Sequence, residues 1–453
     1  GQVNAALARR SPGSTLKPFL YAMALDKGIL VPDSYVLDIP TDFSGYVAEN
    51  YDDRYRGKIT MRHALILSLN APAVSVLSRA GIHDFHNLLL RGGLSTLDRP
   101  TMRYGLPLIL GSGEVTLLDL TNLYATLANG GLHGPLNVVA DPDIGYGESR
   151  LFSREAAYLI TDILTELKRP DMPSATWVLT EDIPEVAWKT GTSYGHRDAW
   201  SVGFSSRYTI GVWVGNTDGS GQKGISGAED AAPVLFELFR SIESDGPYIE
   251  TPQGLALGTV EVCRDSHLLA TPYCDKTDSI TYIKGLSRIP RDNYSKKVFV
   301  DSKTGALLLG DCISERQHEE RIITTDPPEL VAWQRAQGRE IDTMPPLSPY
   351  CRNVVSERPP LILSPDKNTP YRLLSGLPSD HQQVELSARA GEDVRTLYWY
   401  QNGRLVRSGA PGKRIFVPLE PGRHSLVVVD SAGRSDSITY TVSSGEHEKY
   451  AGR

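Results

Sequence analysis

Three short polar motifs, Ser14-Thr-Leu-Lys17, Ser68-Leu-Asn70 and Lys189-Thr190-Gly191-Thr192, occur in that order, each set against an apolar segment. Between them they hold a hydroxyl nucleophile, two lysines, a second serine and an amide. That set is the equipment of serine-based acyl transfer if the fold gathers it at one place. The fold must therefore bring together segments far apart in the chain, with Ser14 at a helix start, Ser68 between two helices and Lys189 on a strand.

Context separates these motifs from look-alikes. Ser-x-x-Lys occurs at Ser14, Ser220 and Ser364. Ser220 stands in a Gly-rich loop and Ser364 in a Pro/Asn loop; only Ser14 opens an apolar helix, with Pro12-Gly13 before it and Pro18 where the first turn needs no N–H. Lys17 lies three residues on, on the same helix face as Ser14. A partly desolvated lysine there can lose its proton and serve the hydroxyl as base. The plain alternative is an N-cap serine with a solvated lysine. Ser68 can relay a proton to a leaving amine, and Asn70 can orient Lys17; the alternative is a helix-ending Ser and a helix-starting Asn. Lys-Thr-Gly also occurs twice. Lys303-Thr-Gly305 reads as a hairpin turn between two strand patterns. Lys189 instead continues the strand Val186-Ala-Trp188 and is followed by Asp198-Ala-Trp200. There Lys189, Thr190 and Thr192 can hold a carboxylate, Gly191 allows close backbone approach, and the Thr192 N–H can serve an oxyanion.

The periodicity predicts helices over Ser14–Asp26, Met61–Leu69, Asn70–Ala80, Leu117–Asn129, from Ser153 onward, and over Asp230–Ser244. It predicts strands over Val186–Thr190, Ala199–Ser205 and Tyr208–Gly215. Helices followed by adjacent strands argue α+β with an antiparallel sheet. Residues 1–245 read as this domain and 246–358 as a Cys-containing, loop-rich extension. Residues 359–445 carry short strands and turn signals that suggest an immunoglobulin- or fibronectin-like β-sandwich, and 446–453 a frayed tail.

The net charge of −7 gives no sign of nucleic-acid binding, and no apolar run reaches the length of a membrane span. The four cysteines lack metal-ligand spacing, so neither metal nor cofactor is expected. Two disulfides in an oxidising compartment, most economically Cys263–Cys274 and Cys312–Cys351, are one reading; four free thiols are the other. The sequence opens on Gly-Gln-Val-Asn without Met or signal peptide, and reads as a segment of a longer protein.

The motifs and their flanks resemble the transpeptidase domain of bifunctional (class A) penicillin-binding proteins. The likeness takes in Arg10-Ser-Pro-Gly-Ser14-Thr-Leu-Lys17-Pro-Phe, Asn50-Tyr-Asp-Asp, Arg62-His-Ala-Leu-Ile-Leu-Ser68-Leu-Asn70, Leu110-Gly-Ser-Gly-Glu, Ala128-Asn-Gly-Gly131, Lys189-Thr-Gly-Thr-Ser and Asp198-Ala-Trp200. The Cys-bearing extension with its sandwich is similar to that of the family's 1C-type members. The resemblance implies a D,D-transpeptidase that cross-links peptidoglycan stem peptides through a Ser14 acyl-enzyme and is acylated by β-lactams. Catalytic Ser14, Lys17, Ser68, Asn70 and Lys189 are implied, with substrate-binding Thr190, Gly191 and Thr192. It also implies a place on the periplasmic face of a Gram-negative inner membrane. A membrane anchor, a glycosyltransferase domain and two further sheet strands are expected upstream, without which the sheet has an unfinished edge. A D,D-carboxypeptidase or other serine hydrolase would use the same motifs. A class A β-lactamase is disfavoured because no Glu-x-x-Leu-Asn lies between Ser68 and Lys189. A binding protein with little catalysis, docking the wall or a periplasmic α2-macroglobulin-like partner, is the reading from another class.

Overall fold

The computed structural model describes residues 4–43, 46–137, 147–170, 184–221, 224–243, 248–309, 312–339, 344–351, 359–366, 369–373, 382–391, 394–430 and 434–443. The chain divides into two compact units, residues 1–298 with 321–344, and residues 299–320 with 345–453.

The first unit is built around helix α1 (Lys17–Asp26), buried along almost its whole length, as expected of a helix apolar on every side. The expected helix from Ser14 begins differently: Gly13–Leu16 is a 3-10 turn that runs into α1. Pro18 has no N–H to give to the Ser14 carbonyl, and the Lys17 N–H takes it instead. Helix α2 (Met61–Ile66) is capped by Thr60, whose hydroxyl accepts from the His63 N–H. The expected extension to Leu69 is cut short because Ser68 stands at φ +56°. The Leu69 N–H bonds the Ala64 carbonyl and the Ser68 N–H bonds that of Leu65, so Ser68 occupies the left-handed position that glycine usually fills at a helix C-terminus. Helix α3 (Asn70–Ala80) follows with the bounds read from the sequence.

Strands Ala187–Thr192, Asp198–Phe204 and Thr209–Gly215 form one antiparallel sheet in that order. Lys189 faces Val202 and Gly191 faces Trp200 in the register. Successive side chains alternate between the faces. On one face a Cβ at Gly211 would strike Thr121 and Leu117 of the helix Leu117–Ala128. On the other, Trp188 meets Phe236 of the helix Ala232–Ile242 edge to face, centroids 4.9 Å apart. Lys189 shares the face of Val202 and Gly211, and its Nζ reaches the Ser68 turn between α2 and α3. Helix Arg154–Thr165 is capped by Ser153, whose Oγ accepts from Ala156 N at 3.0 Å. Cys263 and Cys274 are joined by a disulfide beside the hairpin Leu257–Cys263/Thr277–Ile283.

In the second unit, a two-sheet arrangement is assembled from strands between Leu361 and Ser443: one sheet of three strands and one of five. Its core is Leu386, Trp399, Leu426, Val428 and Tyr440 with their neighbours. The second Lys-Thr-Gly lies in the turn between Phe299-Val300 and Leu307-Leu308, as its flanks predicted. Cys312 and Cys351 form the other disulfide.

Candidate active site

The 3-10 turn carrying Ser14 is pressed directly against the Lys189 strand. Gly13 has φ +54°, and a Cβ there would lie 2.6 Å from the Thr192 carbonyl oxygen. A Cβ at Gly191 would lie 2.3 Å from the Pro12 carbonyl oxygen. Glycine at both positions is what allows backbone to meet backbone. Three hydrogen bonds fix the turn. Trp200 Nε1 donates to Ser11 O at 2.7 Å, Tyr124 Oη to Thr15 O at 2.7 Å, and Thr15 Oγ1 to Pro12 O at 2.9 Å. No side-chain capping bond is made at the start of the turn or of α1, so Ser14 is not an N-cap.

Both motif lysines are fully buried. Lys17 Nζ donates to Ser68 O and to Asn70 Oδ1, each at 2.6 Å. Lys189 Nζ donates to Ser68 Oγ at 2.8 Å and to Thr190 O at 2.9 Å. Burial, with the neighbouring Lys189 charge added, drives the Lys17 pKa well below the ordinary lysine value. Burial alone lowers Lys189 to about 7. A neutral amine has two N–H groups and one lone pair. The two acceptors of Lys17 use both N–H groups, which leaves its lone pair to take a proton. Ser68 Oγ, accepting from Lys189, keeps its own proton to give.

Four of the expected residues are thus joined by hydrogen bonds, Lys17, Ser68, Asn70 and Lys189, and the turn that carries Ser14 lies against the Lys189 strand, Gly191 meeting Pro12 and Thr15. Thr190 and Thr192 lie on the opposite face of the strand: Thr192 Oγ1 accepts from Gly227 N at 3.1 Å, and a Cβ on Gly227 would lie 3.0 Å from Thr190 Cβ. They reach a ligand only along the strand's outer edge, which has no strand partner among the described residues.

Two supporting residues were not assigned a role from the sequence. Asn50 Oδ1 accepts from Asn70 N at 2.8 Å, and Asn50 Nδ2 donates to Asp38 Oδ1 at 2.7 Å. Asp38 is fully buried. The available signal was an acid inside the apolar run Val36-Leu37-Asp38-Ile39. The one grouping of metal-ligand side chains among the described residues is Cys263, Cys274 and Asp292, whose sulfurs are joined to each other. Among the described residues no helix is long and apolar enough to cross a membrane.

The family model "Penicillin binding protein transpeptidase domain" matches residues 2–233. That of the "Penicillin-Binding Protein C-terminus Family" matches 350–440. Penicillin-binding protein 1C of Escherichia coli (strain K12) is 30% identical over 466 residues, covering 98% of this chain and 57% of that protein. Penicillin-binding protein 1A of Neisseria cinerea is 29% identical over 293 residues, covering 59% of this chain and 36% of that one. The crystal structure of penicillin-binding protein 1A from Haemophilus influenzae superposes with a TM-score of 0.53 at 25% identity, covering 65% of this chain and 51% of that chain. The chain spans 57% of the length of the first of these relatives.

Proposed function

The chain belongs to the penicillin-binding protein transpeptidase family, and we propose that it cross-links peptidoglycan stem peptides through an acyl-enzyme on Ser14. The observation that carries this reading is the convergence of two desolvated lysines on Ser68, one through its carbonyl and one through its hydroxyl.

In this reading the lone pair of Lys17 takes the Ser14 proton as Oγ attacks the carbonyl of the penultimate D-Ala. The oxyanion forms beside the backbone N–H groups of Ser14 and Thr192. The C–N bond breaks and the amine leaves with a proton delivered through Ser68 Oγ. The proton on Lys17 replaces it, so the account closes with a free D-Ala and an ester on Ser14. An amine from a second stem attacks that ester by the reverse route, giving the cross-link. Lys189 supplies the cation for the terminal carboxylate, and Thr190 and Thr192 line the strand edge along which the donor peptide lies. Gly191 keeps the edge close to Ser14. A β-lactam presents the same carboxylate beside a strained amide and would stop at the ester.

We place the activity at a periplasmic membrane face, with an anchor and a glycosyltransferase domain as further parts of the whole protein. Hydrolysis of the ester by water, the carboxypeptidase outcome, uses the same residues and is separated by product analysis with paired stem peptides. Intact-protein mass after incubation with a panel of β-lactams tests the proposal. A single adduct on the parent, absent from Ser14→Ala, is expected; adducts on both, or on neither, overturn it.

A further inference from the structure

Helix α3 has no cap of its own. Leu69 precedes it and has no polar side chain to offer. The first amides of the helix are taken instead by Asn50, whose Oδ1 accepts from Asn70 N at 2.8 Å and Ala71 N at 3.3 Å. A Ser or Asp at position 69 would reach only the Ala71 N–H, since Pro72 has none. The chain uses a buried amide from a distant loop, backed by a buried carboxylate, which is a costlier way to cap a helix. What the costlier device adds is orientation.

Asn50 can sit only one way round. Its Nδ2 donates to Asp38 Oδ1 and to Arg54 O, both at 2.7 Å, so its Oδ1 must face α3. Asp38, when ionised, can only accept, and its second oxygen takes the Arg56 N–H at 2.9 Å. Asn70 is equally constrained. Its Nδ2 donates to Glu49 O at 2.7 Å, which turns Oδ1 to Lys17 Nζ at 2.6 Å. The neighbouring residues Glu49 and Asn50 thus grip Asn70 by its side chain and its backbone together. An Asn70 turned over would present N–H groups to Lys17 and remove one of its two acceptors.

We propose that Asp38 and Asn50 are positioning residues for the acylation, holding Asn70 so that the lone pair of Lys17 points at Ser14. The inference rests on the proposed function for its rate readout. The charge that acts on Lys17 is that of Lys189; its two hydrogen-bond acceptors, on Ser68 and Asn70, are uncharged, and Asp38 lies behind Asn50 and acts on Tyr21, four residues along α1.

The test uses the full chain with Asn50→Ala, Asn50→Asp, Asp38→Asn and the exchange Asp38→Asn/Asn50→Asp. Two readouts are taken from pH 6 to 10: the second-order acylation rate with a fluorescent penicillin, and the Lys17 titration by NMR of 13Cε-labelled lysine. Asn50→Ala is expected to acylate about 100-fold more slowly, the effect of a roughly 1 Å misplacement, with the Lys17 titration moved towards that of an ordinary lysine. Asn50→Asp sets two carboxylates against each other and is expected to be at least as slow. The exchange restores one donor and one acceptor between positions 38 and 50. It is expected to recover about tenfold over Asn50→Asp, the Arg54 carbonyl remaining without its donor. Because a carboxylate then lies closer to Lys17, the acid limb of its pH–rate profile is expected at higher pH than in the parent. A merely structural pair would lower the melting temperature of Asn50→Ala and leave its acylation rate and its Lys17 titration at the parent's. Parental rate and parental Lys17 titration in a folded Asn50→Ala overturn the proposal. If Asn50→Ala does not fold, the exchange decides: folded but no faster than Asn50→Asp, it overturns the proposal as well. A parent that no penicillin acylates refutes the proposed function instead, and the Lys17 titrations then judge the positioning role alone.

Discussion

Gly191→Ala should disable acylation through sterics alone. Gly191 stands in an extended strand opposite Trp200, so the backbone conformation itself admits alanine. The added methyl would lie 2.3 Å from Pro12 O, 2.7 Å from Thr15 Cγ2 and 3.2 Å from Thr15 N, where ordinary contact begins at 3.4 Å. About 1 Å of separation must be found. The turn cannot supply it cheaply, since Thr15 is fully buried and three hydrogen bonds from Trp200, Tyr124 and Thr15 itself hold it. Overpacking of this kind costs about 1–3 kcal/mol. Ser14 lies between the two residues struck, and a shift of about 1 Å in a nucleophile is worth roughly 100-fold in rate. The assay is the second-order acylation constant with a fluorescent penicillin, alongside the urea midpoint. Gly305→Ala is the control: the same Lys-Thr-Gly triplet, φ +69°, and open space around the new Cβ. It should cost about 1–2 kcal/mol from the left-handed backbone and leave acylation at the parental rate. A Gly191→Ala chain that acylates within about threefold of the parent would refute the close-approach reasoning.

The remaining expectations concern charge, a buried donor and a cross-link. Lys189 titrates near 7 in the folded chain, and Lys17 is also lowered, against 10.5 for an unburied lysine. Between about pH 7 and 10.5 the folded state therefore binds fewer protons than the unfolded one, and stability should rise with pH across that window. Urea midpoints at pH 6, 8 and 9.5 check the sign, and Lys189→Met should flatten the rise. Trp200→Phe leaves the Ser11 carbonyl without its indole donor and should cost about 1–3 kcal/mol with slower acylation, read from the same pair of assays. Removing Cys312 and Cys351 together opens a bridge across 39 residues, worth about 4 kcal/mol on chain-entropy grounds, and should lower the melting temperature of its own unit in calorimetry.

What the sequence made legible was local. The α3 bounds, the Ser153 cap and the strand carrying Lys189 follow from periodicity and capping chemistry within a few residues. At Ser14 and at Leu69 the structure departs from the periodicity, in each case through a single backbone event: the missing Pro18 N–H and the left-handed Ser68. Context also separated Lys189 from Lys303, because a triplet inside a turn and one continuing a strand differ in their neighbours. The Asp38–Asn50 support was not legible. Its members act across the fold, through hydrogen bonds that no spacing along the chain encodes. Nor could alternation alone say that Thr190 and Thr192 share the Gly227 face, since that depends on which face of the sheet the helix after Gly227 covers.

The two lysines meet at Ser68, the residue that stands in the left-handed conformation at the end of α2. Two ammonium groups buried around one serine repel each other, and the cleft offers them no carboxylate among their hydrogen-bond partners. At neutral pH the pair therefore holds fewer than two charges, and which lysine keeps a proton depends on what enters. Under the proposed function a donor peptide would bring a carboxylate to the strand edge. By electrostatics it favours the charged form of Lys189, and a charged Lys189 in turn favours neutral Lys17, the form that can act as base. Under the proposed function, substrate binding would thus activate Lys17 as base through the charge on Lys189. A left-handed serine costs about 1–2 kcal/mol relative to glycine. In that position one residue offers its carbonyl to Lys17 and its hydroxyl to Lys189. Esters or amides lacking the carboxylate should therefore lose rate in the acylation step as well as in binding. If single-turnover kinetics show the loss in binding alone, the coupling between the lysines is refuted and Lys189 is simply an anchor.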